Sequence, residues 1–288
     1  MMLRFLTTQA LALGLLVAPL FGGNDKNFTY LALGDSIAFG YDPTVVNPTP
    51  DKFTGYPEIV AQLEHLLQSK KEVNAACPGE TSGSFLDVTQ PDNGCNGLNG
   101  FKNAIGLHTN YTDYTESQAS FAAAALANNK HINLVTLSIG GNDLLLLQQK
   151  CANPDPQVFA LCVQNDLPGV LATYGQHLFD ILATIRAHYK GTLIVMTSYA
   201  PSADHLFIGA IVALDGVMVG VASQFGVKFA DGFGAFQIAS APFGGDPCAA
   251  GLLIRLPKPG PNGSCDVHPS PIGRDVLAAT VLIANGYK

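Results

Sequence analysis

The sequence predicts an α/β protein in which a parallel sheet of about five strands lies between two layers of helices. Short apolar runs rich in strand-forming residues alternate with longer segments whose apolar residues recur at helical spacing. Glycines follow the first three apolar runs, and no internal repeat divides the chain. Alternating strands and helices of this kind form a parallel sheet that is covered on both faces.

The strands are predicted from short apolar runs with many β-branched and aromatic side chains. The first run is continuous enough in apolar residues to predict a buried strand, and it ends at Gly34. Ser36 follows where the chain turns from strand to helix. The five runs cover residues 28–33, 72–77, 132–139, 192–197 and 227–230.

The helices are predicted from apolar residues spaced three and four apart. The clearest helix, residues 167–190, begins near Asp166 and Pro168, which are typical of a helix start. The full set covers residues 56–69, 116–128, 167–190, 206–225 and 272–285. The helix over residues 206–225 is strongly apolar. It therefore either packs into the core or uses an exposed apolar face to bind acyl chains or a lipid surface.

Three long stretches lie between the predicted strands and helices, and residues 84–114 are predicted to be irregular. Residues 84–114 and 151–166 are interpreted as insertions, and residues 231–263 as a loop rich in glycine and proline. Long irregular stretches in compact domains are usually functional or mobile. We therefore expect residues 84–114 to form part of a ligand pocket.

Length and charge limit the classes of protein to which the chain can belong. The 288 residues, of which 13% are charged, suit a single folded domain with a large core. The net charge of −7 provides no basic surface that could neutralise phosphates, so a nucleic-acid partner is not expected.

The N-terminus has the pattern of a signal peptide. Arg4 precedes an apolar run over residues 11–21, which is short for a membrane span. The prediction is a signal peptide over residues 1–23, a single domain over residues 24–288, and a secreted protein, extracellular or periplasmic. An uncleaved membrane anchor is the alternative interpretation.

The six cysteines support export because disulfides persist in oxidising compartments. Six cysteines allow 15 pairings, but here they cluster as three couples that are close in sequence. The chain has no Cys-x-x-Cys pair, which disfavours the rival interpretation as a zinc site. The predicted disulfides are Cys77–Cys95, Cys151–Cys162 and Cys248–Cys265.

Four short motifs occur in a fixed order along the chain. They are Gly34-Asp35-Ser36 with Gly40, then Gly79, then Gly141-Asn142-Asp143, and finally His268-Pro269. In this order they resemble the SGNH/GDSL hydrolase superfamily, from about Tyr30 to the C-terminus. The resemblance implies a flavodoxin-like, three-layer α/β/α sandwich and hydrolysis of carboxylic esters through a serine.

The resemblance also assigns roles to individual residues. Ser36 is implied to be the nucleophile and His268 its base. Three donors are implied to bind the oxyanion, namely the backbone N–H groups of Ser36 and Gly79 and the side-chain amide of Asn142. The amide suits this role because its NH₂ donates without adding a charge.

One position departs from the common family pattern, in which an acid precedes the histidine by three residues. Cys265 occupies that position here, and the nearest carboxylate is Asp266, two residues before His268. Either Asp266 reaches the imidazole through a different turn, or a backbone carbonyl near Cys265 orients the ring. We favour Asp266.

These observations lead to a functional hypothesis with two alternatives. The hypothesis is a secreted serine esterase or lipase, acting as a monomer on a small-molecule or lipid ester, with contact to a lipid surface as a further possibility. The alternatives are a carbohydrate O-acetyl esterase and a secreted binding protein with a vestigial hydrolase site. Low charge and a mean hydropathy of +0.24 favour an apolar ester.

No metal or cofactor is expected, and the absence of Gly-x-Ser-x-Gly disfavours an α/β-hydrolase.

Overall fold

A computed structural model describes most of the chain beyond its N-terminal segment. The described residues are 29–64, 72–109, 111, 115–260 and 263–287. The predicted signal peptide lies outside them, as does the end of the helix predicted over residues 56–69.

The central sheet has five parallel strands in the order β2-β1-β3-β4-β5. The strands are β1 (Tyr30–Gly34), β2 (Glu72–Asn74), β3 (Leu134–Ser138), β4 (Thr192–Met196) and β5 (Lys228–Ala230). Every residue of β1 and β3 is buried, as expected for strands that are covered on both faces. The predicted α/β fold with a five-stranded parallel sheet is therefore confirmed.

Helices flank this sheet and provide most of the rest of the hydrophobic core. They are α1 (Ser36–Phe39), α2 (Tyr56–Leu63), α3 (Ser82–Leu86), α4 (Phe101–Ala104), α5 (Gln118–Asn128), α6 (Gly141–Cys151), α7 (Pro156–His188), α8 (His205–Ala222), α9 (Gly232–Ser240) and α10 (Pro271–Asn285). The longest, α7, buries an apolar stripe of Tyr174, Leu178, Ile181, Leu182 and Ile185. This spacing of three and four residues follows from the helical period.

The start predicted for the long helix, near Asp166 and Pro168, is wrong, because the helix begins within the insertion predicted over residues 151–166. Helix α6 ends at Cys151, and α7 begins at Pro156. The side chain of Asp155 accepts a hydrogen bond from the backbone N–H of Gln157, so Asp155 caps α7. Two similar signals for a helix start occur here, Asp155-Pro156 and Asp166 with Pro168. The helix begins at the earlier one. The exposed Pro168 lies inside α7.

The prediction of a loop over residues 231–263 is also wrong in part. This segment contains α9 and the strand β6 (Leu253–Gly260), which pairs with β7 (Gly263–Pro269) in an antiparallel two-stranded sheet. Glycine and proline weaken the local signals for regular structure, and so the hairpin has little periodicity to reveal it. Residues 84–114, in contrast, form only the short helices α3 and α4 within the part that is described.

Three disulfides join residues that are close in sequence: Cys77–Cys95, Cys151–Cys162 and Cys248–Cys265. The first links the segment after β2 to the insertion before α4. The second joins the end of α6 to the first turns of α7. The third ties the segment after α9 to β7, the strand that carries His268.

Candidate active site

Ser36 lies at the point where β1 passes into α1. Asp35 adopts an extended conformation, and its side chain accepts a hydrogen bond from the N–H of Ile37, so it caps α1. This cap turns the chain sharply and makes Ser36 the first helical residue. Ser36 borders a well-formed cavity and is 7% exposed.

The ends of neighbouring strands meet around this turn. The backbone N–H of Asp35 donates to Ser138 at the end of β3 over 3.1 Å. On the other side, the N–H of Cys77 donates to the carbonyl of Gly34 over 3.0 Å. The chain segments that lead to Gly79 and Asn142 are therefore held on either side of Ser36, as the strand order predicts.

His268 approaches Ser36 from the opposite end of the sequence. The His268 Nε2 atom lies 2.8 Å from the Ser36 Oγ atom, across a sequence separation of 232 residues. The ring of Tyr41 packs edge-on against the imidazole, with 4.9 Å between the ring centroids. The candidate base is therefore within hydrogen-bond reach of the candidate nucleophile.

Asp266 contacts the other side of the same imidazole. Its carboxylate is hydrogen-bonded to His268 Nδ1 and also accepts from the backbone N–H of His268 over 3.1 Å. Burial alone would raise the pKa of Asp266, but the hydrogen bond and charge of His268 outweigh it and hold that pKa below its ordinary value. The carbonyl of Val267 instead accepts from the Tyr199 hydroxyl over 2.7 Å. The geometry thus favours the carboxylate over a nearby carbonyl.

The three candidate oxyanion donors come from three strand ends. Within the described residues, the N–H groups of Ser36 and Gly79 donate no hydrogen bond, so both remain available. Gly79 has a φ of +87°, and a Cβ atom there would lie 2.5 Å from the backbone oxygen of Asn93. Only glycine fits this position without displacing the neighbouring loop. The Asn142 side chain is buried, and its Nδ2 donates to the carbonyl of Glu80 over 3.0 Å.

A buried polar network that the sequence analysis missed lies beneath these groups. Gln118 bonds both backbone groups of Gly34, accepting from its N–H over 2.6 Å and donating to its carbonyl over 2.9 Å. The same Gln118 NH₂ donates to the Glu80 carboxylate over 3.0 Å. Glu80 directly follows Gly79, which could have drawn attention to it. Gln118 is the first residue of an alanine-rich helix, and no motif beside it indicates a role in the site.

Burial raises the pKa values of three carboxyl groups around the turn. Burial, and to a smaller extent the nearby Asp143 and Glu80 carboxyls, raise the pKa of Asp35 to about 7. Burial also raises the pKa of Glu80 to about 7, against the hydrogen bonds that Ser84 and Gln118 donate. The pKa of Asp143 is raised by burial as well. Partial protonation of Asp35 and Glu80 at neutral pH limits the negative charge close to the candidate oxyanion site.

The cavity beside Ser36 has a volume of about 400 Å³. Its walls come from α6, α7, α8 and the segment after β4, and Asp266 and His268 border it. The apolar side chains in these walls include Leu144, Leu147, Phe159, Val163, Leu206, Phe207 and Ile211. Cavities of this size and character take small-molecule ligands.

Two clusters among the described residues have the composition of metal ligands, but each contains a disulfide. Cys77 and Cys95 lie near Glu80, and Cys151 and Cys162 lie near Asp166. Because both cysteine pairs are oxidised, they offer no thiolate to a metal.

The raised pKa of Asp35 predicts how Asp35→Asn changes stability with pH. A folded pKa near 7, above the ordinary 3.8, means that the folded state holds a proton that the unfolded state has lost. This group therefore lowers the free energy of unfolding as pH rises from about 4 to 7. Asparagine keeps the acceptor for Ile37 and has no charge. The free energy of unfolding of the variant, relative to that of the wild type, should rise across this window by roughly 3–4 kcal/mol.

Urea denaturation at several pH values measures this difference. Asp51→Asn, at an exposed carboxyl, serves as the control. A difference between Asp35→Asn and the wild type that stays constant from pH 4 to pH 8 would contradict the assignment.

Comparison with known proteins extends these observations. A phospholipase A1 from Streptomyces albidoflavus NA297 has a similar structure, with a TM-score of 0.62, 18% sequence identity, and coverage of 90% of this chain and 99% of that one. An extracellular lipase from Streptomyces rimosus gives a TM-score of 0.59 at 15% identity, covering 89% and 99%. A mutant acetyl-xylooligosaccharide esterase from Geobacillus gives 0.51 at 18% identity, covering 91% and 97%. At these identities the likeness shows a shared fold.

No curated protein matches the chain in sequence. A family model, in contrast, matches residues 32–276, which is most of the chain and includes all of the motifs described above. That segment runs from β1 into α10, so it contains every strand end that contributes to the candidate site. The chain therefore belongs to the GDSL-like lipase/acylhydrolase family and is, at this general level, an ester hydrolase.

Proposed function

We propose that the protein is a secreted serine esterase or lipase that hydrolyses carboxylic esters of apolar acyl chains. One observation carries the proposal. Ser36, His268 and Asp266 form a continuous hydrogen-bonded series that opens onto an apolar cavity. The series supports nucleophilic catalysis, and the cavity supports binding of an acyl group.

In the proposed reaction, His268 Nε2 takes the proton of Ser36 Oγ as that oxygen bonds to the ester carbonyl carbon. The Asp266 carboxylate orients the imidazole and stabilises the imidazolium that forms. The N–H groups of Ser36 and Gly79 and the Asn142 amide bind the carbonyl oxygen as it becomes negative. His268 then returns the proton to the leaving alcohol as the ester C–O bond breaks. Water, deprotonated by His268, then attacks the acyl carbon. The bond from that carbon to Ser36 Oγ breaks, and His268 returns the proton to Ser36 as the carboxylic acid leaves.

The chemistry of the cavity favours an apolar acyl chain. An acetyl group would leave most of a cavity of about 400 Å³ unfilled, whereas a longer chain would bury its methylenes against leucine and phenylalanine side chains. Each buried methylene contributes about 0.8 kcal/mol. The fold does not decide this point, because lipases and an acetyl-xylooligosaccharide esterase share it. The cavity therefore supports an acyl ester over the alternative, a carbohydrate O-acetyl ester.

The binding-protein alternative predicts that part of the site is degraded. Here each residue assigned from the resemblance is present, and His268 lies within hydrogen-bond distance of Ser36. This arrangement supports an active enzyme.

Secretion is proposed from two features. The N-terminal sequence has the signal-peptide pattern described above. Three disulfides are typical of proteins that fold in an oxidising compartment.

Contact with a lipid surface stays a prediction, and α8 supports it. With the turn that follows it, α8 is long and apolar enough to cross a membrane by length and composition alone, with a mean hydropathy of 2.1. One face packs in the core, whereas Val212 and Val219 are exposed on the other. Sedimentation with phosphatidylcholine vesicles measures this contact, and complete recovery of protein in the supernatant would contradict it.

A panel of nitrophenyl esters from acetate to palmitate, together with acetylated xylan, tests the proposed function. We expect kcat/KM for octanoate to exceed that for acetate by at least about tenfold, because several methylenes become buried. Ser36→Ala should abolish turnover of all esters. Ala210→Trp should fill the cavity and reduce octanoate hydrolysis selectively, because Ala210 lines the wall that α8 provides.

Ile283→Trp is the control for this panel, since Ile283 is exposed on α10, which does not line the cavity. It should leave the order of ester preference unchanged. Efficient release of acetate from acetylated xylan with poor octanoate hydrolysis would support the O-acetyl esterase instead. A folded protein without activity on any ester would favour the binding protein.

A further inference from the structure

The orientation of the Asn142 amide decides whether it can stabilise an oxyanion. A side-chain amide has an NH₂ group that donates and an oxygen that accepts, and a rotation of 180° exchanges them. With the NH₂ group towards Ser36, the amide stabilises negative charge. With the oxygen in that place, it repels the same charge. Something in the structure must therefore distinguish the two orientations.

Two contacts distinguish them, one at each end of the amide. Asn142 Nδ2 donates to the backbone carbonyl of Glu80 over 3.0 Å. That carbonyl can only accept, so it requires the NH₂ group on its side. Asn142 Oδ1 accepts from Asn93 Nδ2 over 3.1 Å. The second hydrogen of the NH₂ group stays available for a substrate oxygen.

The Asn93 amide is itself oriented by a third amide. Asn93 Oδ1 accepts from Gln149 Nε2 over 2.8 Å. Gln149, Asn93 and Asn142 thus form a chain of donors that all run in one direction and end at the Glu80 carbonyl. Such a chain has a defined sense, because reversing any one member would place two acceptors or two donors against each other.

Asn93 also contacts a second part of the candidate oxyanion site. Its backbone N–H donates to the carbonyl of Gly79 over 2.8 Å. The Cys77–Cys95 disulfide holds the same loop beside Gly79. This backbone hydrogen bond remains when the Asn93 side chain is replaced. A substitution at Asn93 therefore tests the side-chain contact with Asn142 without removing the support of Gly79.

We propose that Asn93 is a positioning residue for the oxyanion site, and that its side-chain NH₂ group keeps the Asn142 amide in the orientation that donates to substrate. The proposal rests on the proposed function, in which Asn142 is an oxyanion donor. Gln149 supports Asn93 in the same way from the solvent side. Sequence reasoning could not identify Asn93, which lies 49 residues from Asn142 in an irregular segment.

Asn93→Asp is the sharpest test, because it replaces the NH₂ group by an oxygen with almost no change in shape. The new oxygen cannot donate to Asn142 Oδ1 and repels it, so the Asn142 amide loses its preferred orientation. We expect kcat on a nitrophenyl ester to fall by about 10–100-fold and KM to change by less than about threefold. Asn103→Asp is the matched control. Its exposed amide donates to the carbonyl of Leu98 in the same insertion, and it should keep wild-type turnover.

A double-mutant cycle shows whether Asn93 acts through Asn142. Asn142→Ala alone should lower kcat by about 10²–10³. Adding Asn93→Asp to that variant should lower kcat by less than about threefold more, because the amide to be oriented is gone. Gln149→Ala, at an exposed position, should lower kcat by a few-fold in the wild type only.

The outcomes separate this inference from the proposed function. If Ser36→Ala or Asn142→Ala keeps wild-type turnover, the proposed function fails. If Asn142→Ala lowers kcat but Asn93→Asp does not, Asn93 does not position the amide. If Asn93→Asp lowers kcat equally with and without Asn142, it acts through the fold or through its added negative charge, and the inference is overturned. If Asn93→Asp does not fold, the cycle between Gln149→Ala and Asn142→Ala decides the question by the same criterion.

Discussion

The strand ends that carry Ser36 and Asn142 approach each other so closely that no side chain fits between them. A Cβ atom on Gly34 would lie 2.1 Å from the backbone oxygen of Ser138. Gly34 also has a φ of +139°, which side chains rarely adopt, and this lets Asp35 turn and bond to Ser138. Because the turn brings Ser36 to the edge of the sheet beside the end of β3, the rest of the candidate site depends on this contact.

The buried polar groups beneath the turn hold its three chain segments together. Gln118 pairs with both backbone groups of Gly34 and with the Glu80 carboxylate, and the Glu80 carbonyl accepts from Asn142. A fully bonded buried network of this kind specifies one arrangement, since each broken contact leaves a buried polar group without a partner. It also explains why carboxyls are tolerated here. Their raised pKa values leave them partly neutral, and donors surround them.

The motif residues were identified by their resemblance to a known family, and the predicted strands and helices beside them indicated where they lie. Ser36 and Asn142 directly follow strands of strong apolar character, and His268 precedes the last helix. Asp266, two residues before His268, was favoured over a backbone carbonyl, and its contact with the imidazole agrees with that choice. The disulfide pairs were predictable because the cysteines cluster in sequence.

The parts that sequence reasoning missed depend on contacts between distant segments. Gln118 bonds Gly34 across 84 residues, and Asn93 bonds Asn142 across 49. Neither has a local pattern that would distinguish it from a surface amide. The hairpin that carries His268 was missed because its glycines and prolines weaken strand propensity, and pairing with a neighbour overrides that preference. The start of α7 was misplaced because two similar capping signals compete, and local sequence does not decide between them.

We propose above all that His268, oriented by Asp266, activates Ser36 as a nucleophile. The rate of covalent labelling by a nitrophenyl alkylphosphonate tests it most directly, because Ser36 Oγ must attack phosphorus and displace nitrophenolate. We expect a single adduct, mapped to Ser36. The labelling rate should fall by at least about 10³-fold in His268→Ala and by about 10²–10⁴-fold in Asp266→Asn. A folded wild-type protein without an adduct on Ser36, or labelling of Asp266→Asn at the wild-type rate, would contradict the account.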